Sequence, residues 1–252
     1  MGQGPGQSDG QPTIAMDGER PGIALVRVIV GVVLAMLVTV VIGEGLLLGD
    51  ELLARIERVW GRGARERVQQ WQKLVAVDAG SEEFRKLSSV NTFFNSLPNV
   101  DDRLQWGQDD YWATPIELLA ANGGDCEDFA IAKYFTLRAM GIPESRLRMI
   151  YVKLFLRESA RIEAHMVLAY YASEGAEPMI LDNRDPELRL ASARSDLTPT
   201  YAFNADGLWL AKERGRGRKV DGASRISAWT QLLGRMQQEV VALPMAPRGA
   251  RP

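Results

Sequence analysis

The stretch ATPIELLAANGGDCEDFAIAKYFTLRAMGIP, residues 113–143, decides how this chain is read. It opens with a helix signature. Thr114 suits the N-cap, Pro115 the first helical position, and Glu117 completes a T-x-x-E capping box. Asn122-Gly123-Gly124 supplies a left-handed stop. A second helix starts at once, with Asp125 as its natural N-cap, and Gly141 with Pro143 marks its end. Cys126 therefore stands at the very start of a helix. The chain of 252 residues has this one cysteine and one histidine, His165. A single Cys excludes an internal disulfide and a Cys-rich zinc site, and a single His excludes zinc sites that need two or three imidazoles.

Working outward toward the N-terminus, the pattern stays helical. Residues 50–75 carry Leu52, Leu53, Ile56, Val59, Val68, Trp71 and Leu74 at helical spacing, with Gly61 and Gly63 weakening the middle. Ser81 to Leu97 reads as another amphipathic helix, stopped by Pro98, and NVDDRLQWGQDD as a polar loop. Toward the C-terminus the apolar period changes from about 3.6 to about 2. LRMIYVKLFL, AHMVLAYY, MILDN, TYAFN and LWL read as strands, with NADG as a hairpin turn. Helices first and an antiparallel sheet second make an α+β arrangement. ERGRGRK (213–219) is a basic break, and residues 223–242 suit a short amphipathic helix.

Hydrophobic residues make up 46% of the chain and charged residues 25%, so a full core is within reach. The formal net charge of −2 gives no reason to expect nucleic acid. Residues 1–22 are rich in Gly, Gln and Pro and are expected to be a disordered tail. Residues 23–48 are apolar enough to cross a bilayer, with Arg27 snorkelling. Arg20 and Arg27 precede this run, while Asp50 and Glu51 follow it. The positive-inside rule then keeps the N-terminus cytoplasmic and exports the rest. The segment reads as an uncleaved signal anchor or a signal peptide cleaved near Gly43 or Gly45. The expected organisation is a tail (1–22), an anchor or signal (23–48), a catalytic domain (50–212), and a basic linker with C-terminal helix and tail (213–252).

Two constellations can carry chemistry. Free amides at a helix start and the positive helix end favour a thiolate at Cys126 and can hold an oxyanion. Strand alternation puts His165 on the face of Val167 and Ala169, and on an adjacent antiparallel strand Asp182 would come within reach of it. From the residues alone, Cys126 is equally well a small buried thiol, His165 a structural donor, and Asp182 the start of a turn. The second constellation is Asp125, Glu127 and Asp128. These carboxylates suit a helix N-terminus, yet they oppose ionisation of the neighbouring thiol. A calcium ion would offset that, because it accepts several carboxylates in loose geometry. Asp101, Asp102, Asp109 and Asp110 lie upstream as further ligands or as a solvated loop.

The block GGDCEDFAIAKY (123–134), followed in order by AHMVLAYY, LDN and DLTPTYAFNADGLWL, resembles the bacterial transglutaminase-like cysteine proteinases of the LapG-like kind. The resemblance runs from roughly Trp71 to Leu210. It implies a papain-like, transglutaminase-like core with N-terminal helices packed on an antiparallel sheet. It also implies a Cys-His-Asp triad of Cys126, His165 and Asp182 and a Ca2+ site at Asp125, Glu127 and Asp128. The family implies a periplasmic endopeptidase that clips a large surface adhesin near its N-terminus at a paired-alanine site, promoting biofilm dispersal. Its expected partner is a LapD-type inner-membrane cyclic-di-GMP receptor. Two other functions use the same residues. One is protein-glutamine acyl transfer, where an amine replaces water as acceptor. The other is a catalytically silent, calcium-dependent binding module for a membrane receptor.

Overall fold

The computed structural model of the chain describes residues 48–210, 219–221 and 226–239. The expectations for 1–22, for all but the last residue of 23–48, for 213–218 and for the end of the tail lie outside the described residues. Among the described residues no helix is long and apolar enough to cross a membrane.

The expected helix over 50–75 is two helices, α1 (Asp50–Trp60) and α2 (Arg62–Asp78). They break at Gly61, whose φ of 85° suits a residue with no Cβ. α2 buries Ala64, Val68, Trp71 and Val75, one stripe at helical spacing. The Trp71 indole donates to Thr136 Oγ1 at 2.8 Å, tying α2 to the central helix. α3 (Glu83–Asn95) buries Leu87, Val90, Asn91 and Phe94. The expected polar loop contains a short helix, α4 (Asp102–Gln105), whose cap Asp101 accepts from the Arg103 amide.

α5 (Pro115–Ala121) has both bonds of its capping box. The Thr114 amide donates to Glu117 Oε2 at 2.8 Å, and the Glu117 amide to Thr114 Oγ1 at 3.1 Å. It stops at Asn122, which takes the left-handed conformation with φ of 60°. α6 (Cys126–Ala139) follows, and its run from Asp128 to Tyr134 is buried without a break. A helix covered on all sides is the natural centre of a core.

Among the described residues, all strands lie in one antiparallel sheet of order β4-β3-β2-β1-β5-β6-β7. They are β1 (Leu147–Leu156), β2 (Arg161–Tyr170), β3 (Met179–Leu181), β4 (Arg189–Leu190), β5 (Leu197–Asn204), β6 (Gly207–Leu210) and β7 (Lys219–Asp221). β4 and β7 are too short for an alternation pattern to reveal them. The Asn204–Gly207 hairpin forms as expected, with Asn204 Oδ1 accepting the Asp206 and Gly207 amides. One face of β2 (Met166, Leu168, Tyr170) joins the core shared with the helices. The other face (Val167, Ala169) joins a second cluster with Ile150, Val152, Ile180 and Ala202. The C-terminal helix α7 (Ser227–Glu239) buries Trp229 in the main core, stacked on Phe135 with ring centroids 5.6 Å apart. The architecture is the expected α+β one, with helices packed on an antiparallel sheet.

Candidate active site

Cys126 is the first residue of α6 and is half-buried. The two glycines before it let the chain arrive there. A Cβ on Gly123, whose φ is 142°, would come within 2.5 Å of the Pro98 carbonyl oxygen. A Cβ on Gly124 would fall on Asp128 Oδ2 and within 2.8 Å of Leu118 Cδ1. The Val100 amide donates to the Gly124 carbonyl at 2.8 Å and fixes this approach.

Opposing influences act on the sulfur. Burial, then the charge and hydrogen bond of Glu127, then the charge of Asp125 push the thiol pKa up. The thiol donates to Glu127 Oε2 at 2.8 Å. The Met166 backbone amide, one residue beyond His165, bonds to the sulfur and favours the thiolate. Burial and these carboxylates together outweigh the Met166 bond. The sequence-based expectation of a lowered thiol pKa is corrected to that extent.

β2 and β3 pair as far as Leu168 opposite Leu181, and just past that last pair the two chains carry His165 and Asp182. His165 Nε2 lies 2.8 Å from Asp182 Oδ1, and both residues are buried. Nε2 is thus the ring nitrogen committed to the carboxylate. Burial alone would raise the Asp182 carboxyl. The bond and charge of His165, the Arg184 amide and the charge of Arg194 outweigh burial and hold it well below the usual carboxylate range. Asn95 Nδ2 also donates to the Asp182 main-chain oxygen at 2.8 Å.

The acidic residues form two overlapping groups that share Asp125. One is Asp125, Cys126 and Glu127; the other is Asp102, Asp125 and Asp128. Within each group the ligand atoms lie within 4.8 Å of one another. Asp128 Oδ1 accepts the Ala113 amide at 2.6 Å and Oδ2 the Asp125 amide at 3.3 Å. Asp102 Oδ2 accepts the Tyr111 amide. Burial and the neighbouring carboxylates push Asp102 up to about 6 and Asp125 up to about 10, and raise Asp128 as well.

A Cys at a helix start and a strand His bonded to Asp are the parts from which papain-like and transglutaminase-like enzymes build their sites. The model of the family "bacterial transglutaminase-like cysteine proteinase" matches residues 62–201. This chain belongs to that family. The match spans the Cys126 helix start, the His165–Asp182 pair and the acidic groups.

Among solved structures the proteinase is similar to Legionella pneumophila LapG. The two are 37% identical over 74% of this chain and 95% of that chain, with a TM-score of 0.63. It is 38% identical to calcium-bound Legionella pneumophila LapG over 75% of this chain and 99% of that chain, again with a TM-score of 0.63. For the EGTA-treated form the values are 37%, 74%, 96% and 0.64. No relative is matched among curated proteins.

The residues of this proteinase fit a calcium ion. Asp102 Oδ1 and Asp125 Oδ1 are buried with no hydrogen-bond partner, and hard, negatively charged oxygens are the donors calcium takes. The sequence-based set of Asp125, Glu127 and Asp128 meets at Asp125, which both groups share. Glu127 shares Asp125 with the thiol, while Asp128 and Asp125 converge with Asp102. Of the four upstream acids, Asp101 caps α4 and Asp109 pairs with Arg103 on the surface at 2.6 Å. Nothing local to DDRLQWGQDD distinguishes Asp102 from its neighbours. Arg194, bonded to Asp182, carried no sequence signal at all.

Proposed function

We propose that this proteinase is a calcium-dependent endopeptidase that works in the periplasm, held to the inner membrane through residues 23–48. There it releases a large surface adhesin by cutting its N-terminal region at a paired-alanine site. The observation that carries the reading is the meeting of Cys126, at an α6 start with free amides, with the β2 strand whose His165 is bonded to Asp182. The likeness to LapG supports the choice of substrate class, and a LapD-type cyclic-di-GMP receptor is the matching partner.

In this mechanism His165 takes the Cys126 proton, and the sulfur attacks the scissile carbonyl carbon. The carbonyl oxygen becomes an oxyanion facing the amides at the start of α6. His165 then gives the proton to the departing amine as the C–N bond breaks, leaving a thioester on Cys126. A water, deprotonated by His165, attacks the thioester and frees the new carboxyl end and the thiol. Asp182 holds the ring tautomer and stabilises imidazolium throughout. Asp102, Asp125, Glu127 and Asp128 would hold a calcium ion, whose positive charge would keep these carboxylates ionised beside the helix start.

The test uses purified full-length protein and a peptide from the N-terminal region of an adhesin of the same organism, containing a paired alanine. Cys126→Ala should abolish cleavage, and Asp182→Asn should slow it by on the order of a hundredfold or more. Cleavage unchanged in Cys126→Ala would remove the reading. Mass spectrometry with an added amine separates hydrolysis from acyl transfer, because transfer yields an amide-linked product instead of a free carboxyl end.

A further inference from the structure

Asp182 is held at more points than its bond to His165 requires. Its Oδ1 faces His165 Nε2 and also accepts the Arg184 amide at 2.9 Å. Its Oδ2, the oxygen turned away from the ring, accepts Arg194 Nη2 at 2.8 Å. Arg194 follows the 3-10 turn Ala191–Ala193 that continues β4, and it is only 7% exposed.

The guanidinium is itself braced. Its Nε donates to Asp196 Oδ1 at 3.0 Å and its Nη2 to Asp196 Oδ2 at 2.8 Å, while Nη1 stands 3.9 Å from Asp185. The side chain also lines an apolar cavity of about 100 Å3 with Ile150, Val152, Val167, Ile180 and Leu197. An ion pair beside such a wall is screened less by water than a surface pair.

A carboxylate fixed through one oxygen can still turn about its Cβ–Cγ bond. That turn carries the other oxygen away from its partner. A planar guanidinium on the second oxygen blocks the rotation, and arginine keeps its charge across the accessible pH range. Lys133 is the other buried cation whose charge reaches Asp182, but its ammonium is bonded to Asn91 Oδ1 at 2.8 Å and is no fork. Arg184 touches Asp182 through its backbone amide, and its guanidinium pairs with Glu163.

We propose that Arg194 is a positioning residue of this active site. Its guanidinium locks the Asp182 carboxylate through the oxygen that does not face His165, and so fixes the ring toward Cys126. The inference rests on the reading of Cys126, His165 and Asp182 as the working set. It assigns a role to a residue twelve positions beyond the Asp, at the end of the turn that follows β4. A purely structural role, pinning the 191–196 turn to the end of β3, would change stability and leave the ring untouched.

The single histidine and single cysteine make the test direct, with the full-length protein in calcium. Iodoacetamide labels Cys126, and the rate is read by mass spectrometry. The His165 N–H bonded to Asp182 gives one low-field proton resonance that needs no assignment. In Arg194→Met, labelling at neutral pH should slow by about 10–100-fold, the scale of an outer hydrogen-bond partner. The low-field resonance should broaden or vanish. Arg194→Lys keeps the charge without the fork and should recover part of both signals.

A folded Arg194→Met protein with wild-type labelling and a wild-type resonance overturns the proposal. Should Arg194→Met fail to fold, Arg194→Lys decides, and wild-type behaviour there overturns it. A different result marks failure of the underlying reading: wild-type labelling no faster than that of His165→Ala. The Cys–His set then falls, and the role of Arg194 with it.

Discussion

Gly124 shows at the scale of one residue why a missing side chain matters here. The capping pattern TPIE and the αL residue Asn122 make the α5–α6 corner legible from local chemistry. What the corner is for appears only in space. A Cβ at Gly124 would overlap the Asp128 carboxylate, which holds the Ala113 and Asp125 amides. Gly124→Ala should therefore cost about 1–3 kcal/mol through overpacking, or a few degrees for each kcal/mol in a thermal melt. The calcium-induced gain in melting temperature should shrink along with it. A variant that melts like wild type and responds fully to calcium would show that the corner tolerates the methyl group. Cys126 and His165 were visible as the chain's only residues of their kinds. Of the groups that touch them, Glu127 and Asp182 were legible from the sequence, and the Met166 amide was not.

At the scale of elements, α7 reaches back to the loop that feeds the acidic site. Glu239 accepts a hydrogen bond from the Thr114 hydroxyl, and Arg235 donates to the Trp112 carbonyl. This loop also carries Tyr111 and Ala113, whose amides hold Asp102 and Asp128. α7 lies beyond the residues that the family model matches, yet it closes on the cap of α5. Burial, with the charge of Glu117 adding to it, raises Glu239 to about 8 despite the Thr114 bond and Arg235. A carboxyl raised on folding contributes stability at low pH that is lost as pH rises through its folded value. The Glu239 contribution is therefore lost as pH rises through about 8. Glu239→Gln keeps a polar partner for Thr114 without the charge. Its melting temperature should fall less than that of wild type between about pH 6 and 9. Parallel melting profiles for the two proteins would refute this account of the helix contact.

At the scale of the whole molecule, the buried carboxylates link stability to pH and, under the proposed function, to calcium. Asp102 and Asp125 are raised to about 6 and about 10, so their contribution declines as pH rises through those values. In EGTA the protein should melt at a lower temperature at pH 8 than at about pH 5. On the proposed function, calcium would bind the ionised forms, so its effect should grow with pH. At a hundredfold excess over Kd the gain is about 2.7 kcal/mol, or ~5–10 °C for a domain of this size. Melting curves that coincide with and without calcium at every pH would sink the calcium reading.

What the sequence by itself determined was local: the capped corner before Cys126, the helix-then-strand order, the hairpin at Asn204–Gly207, and a family signature in GGDCEDFAIAKY. Each depends on contacts within a few residues or on a repeated period, which a linear reading can recover. Only the tertiary structure decided which groups share space. It placed Asp102, of the four loop acids, beside Asp125 and Asp128, and brought Arg194 onto the far oxygen of Asp182. It also folded α7 against Thr114 over a separation of 125 residues. These pairings follow from strand register and helix packing across the core, and no pattern along the chain encodes them separately.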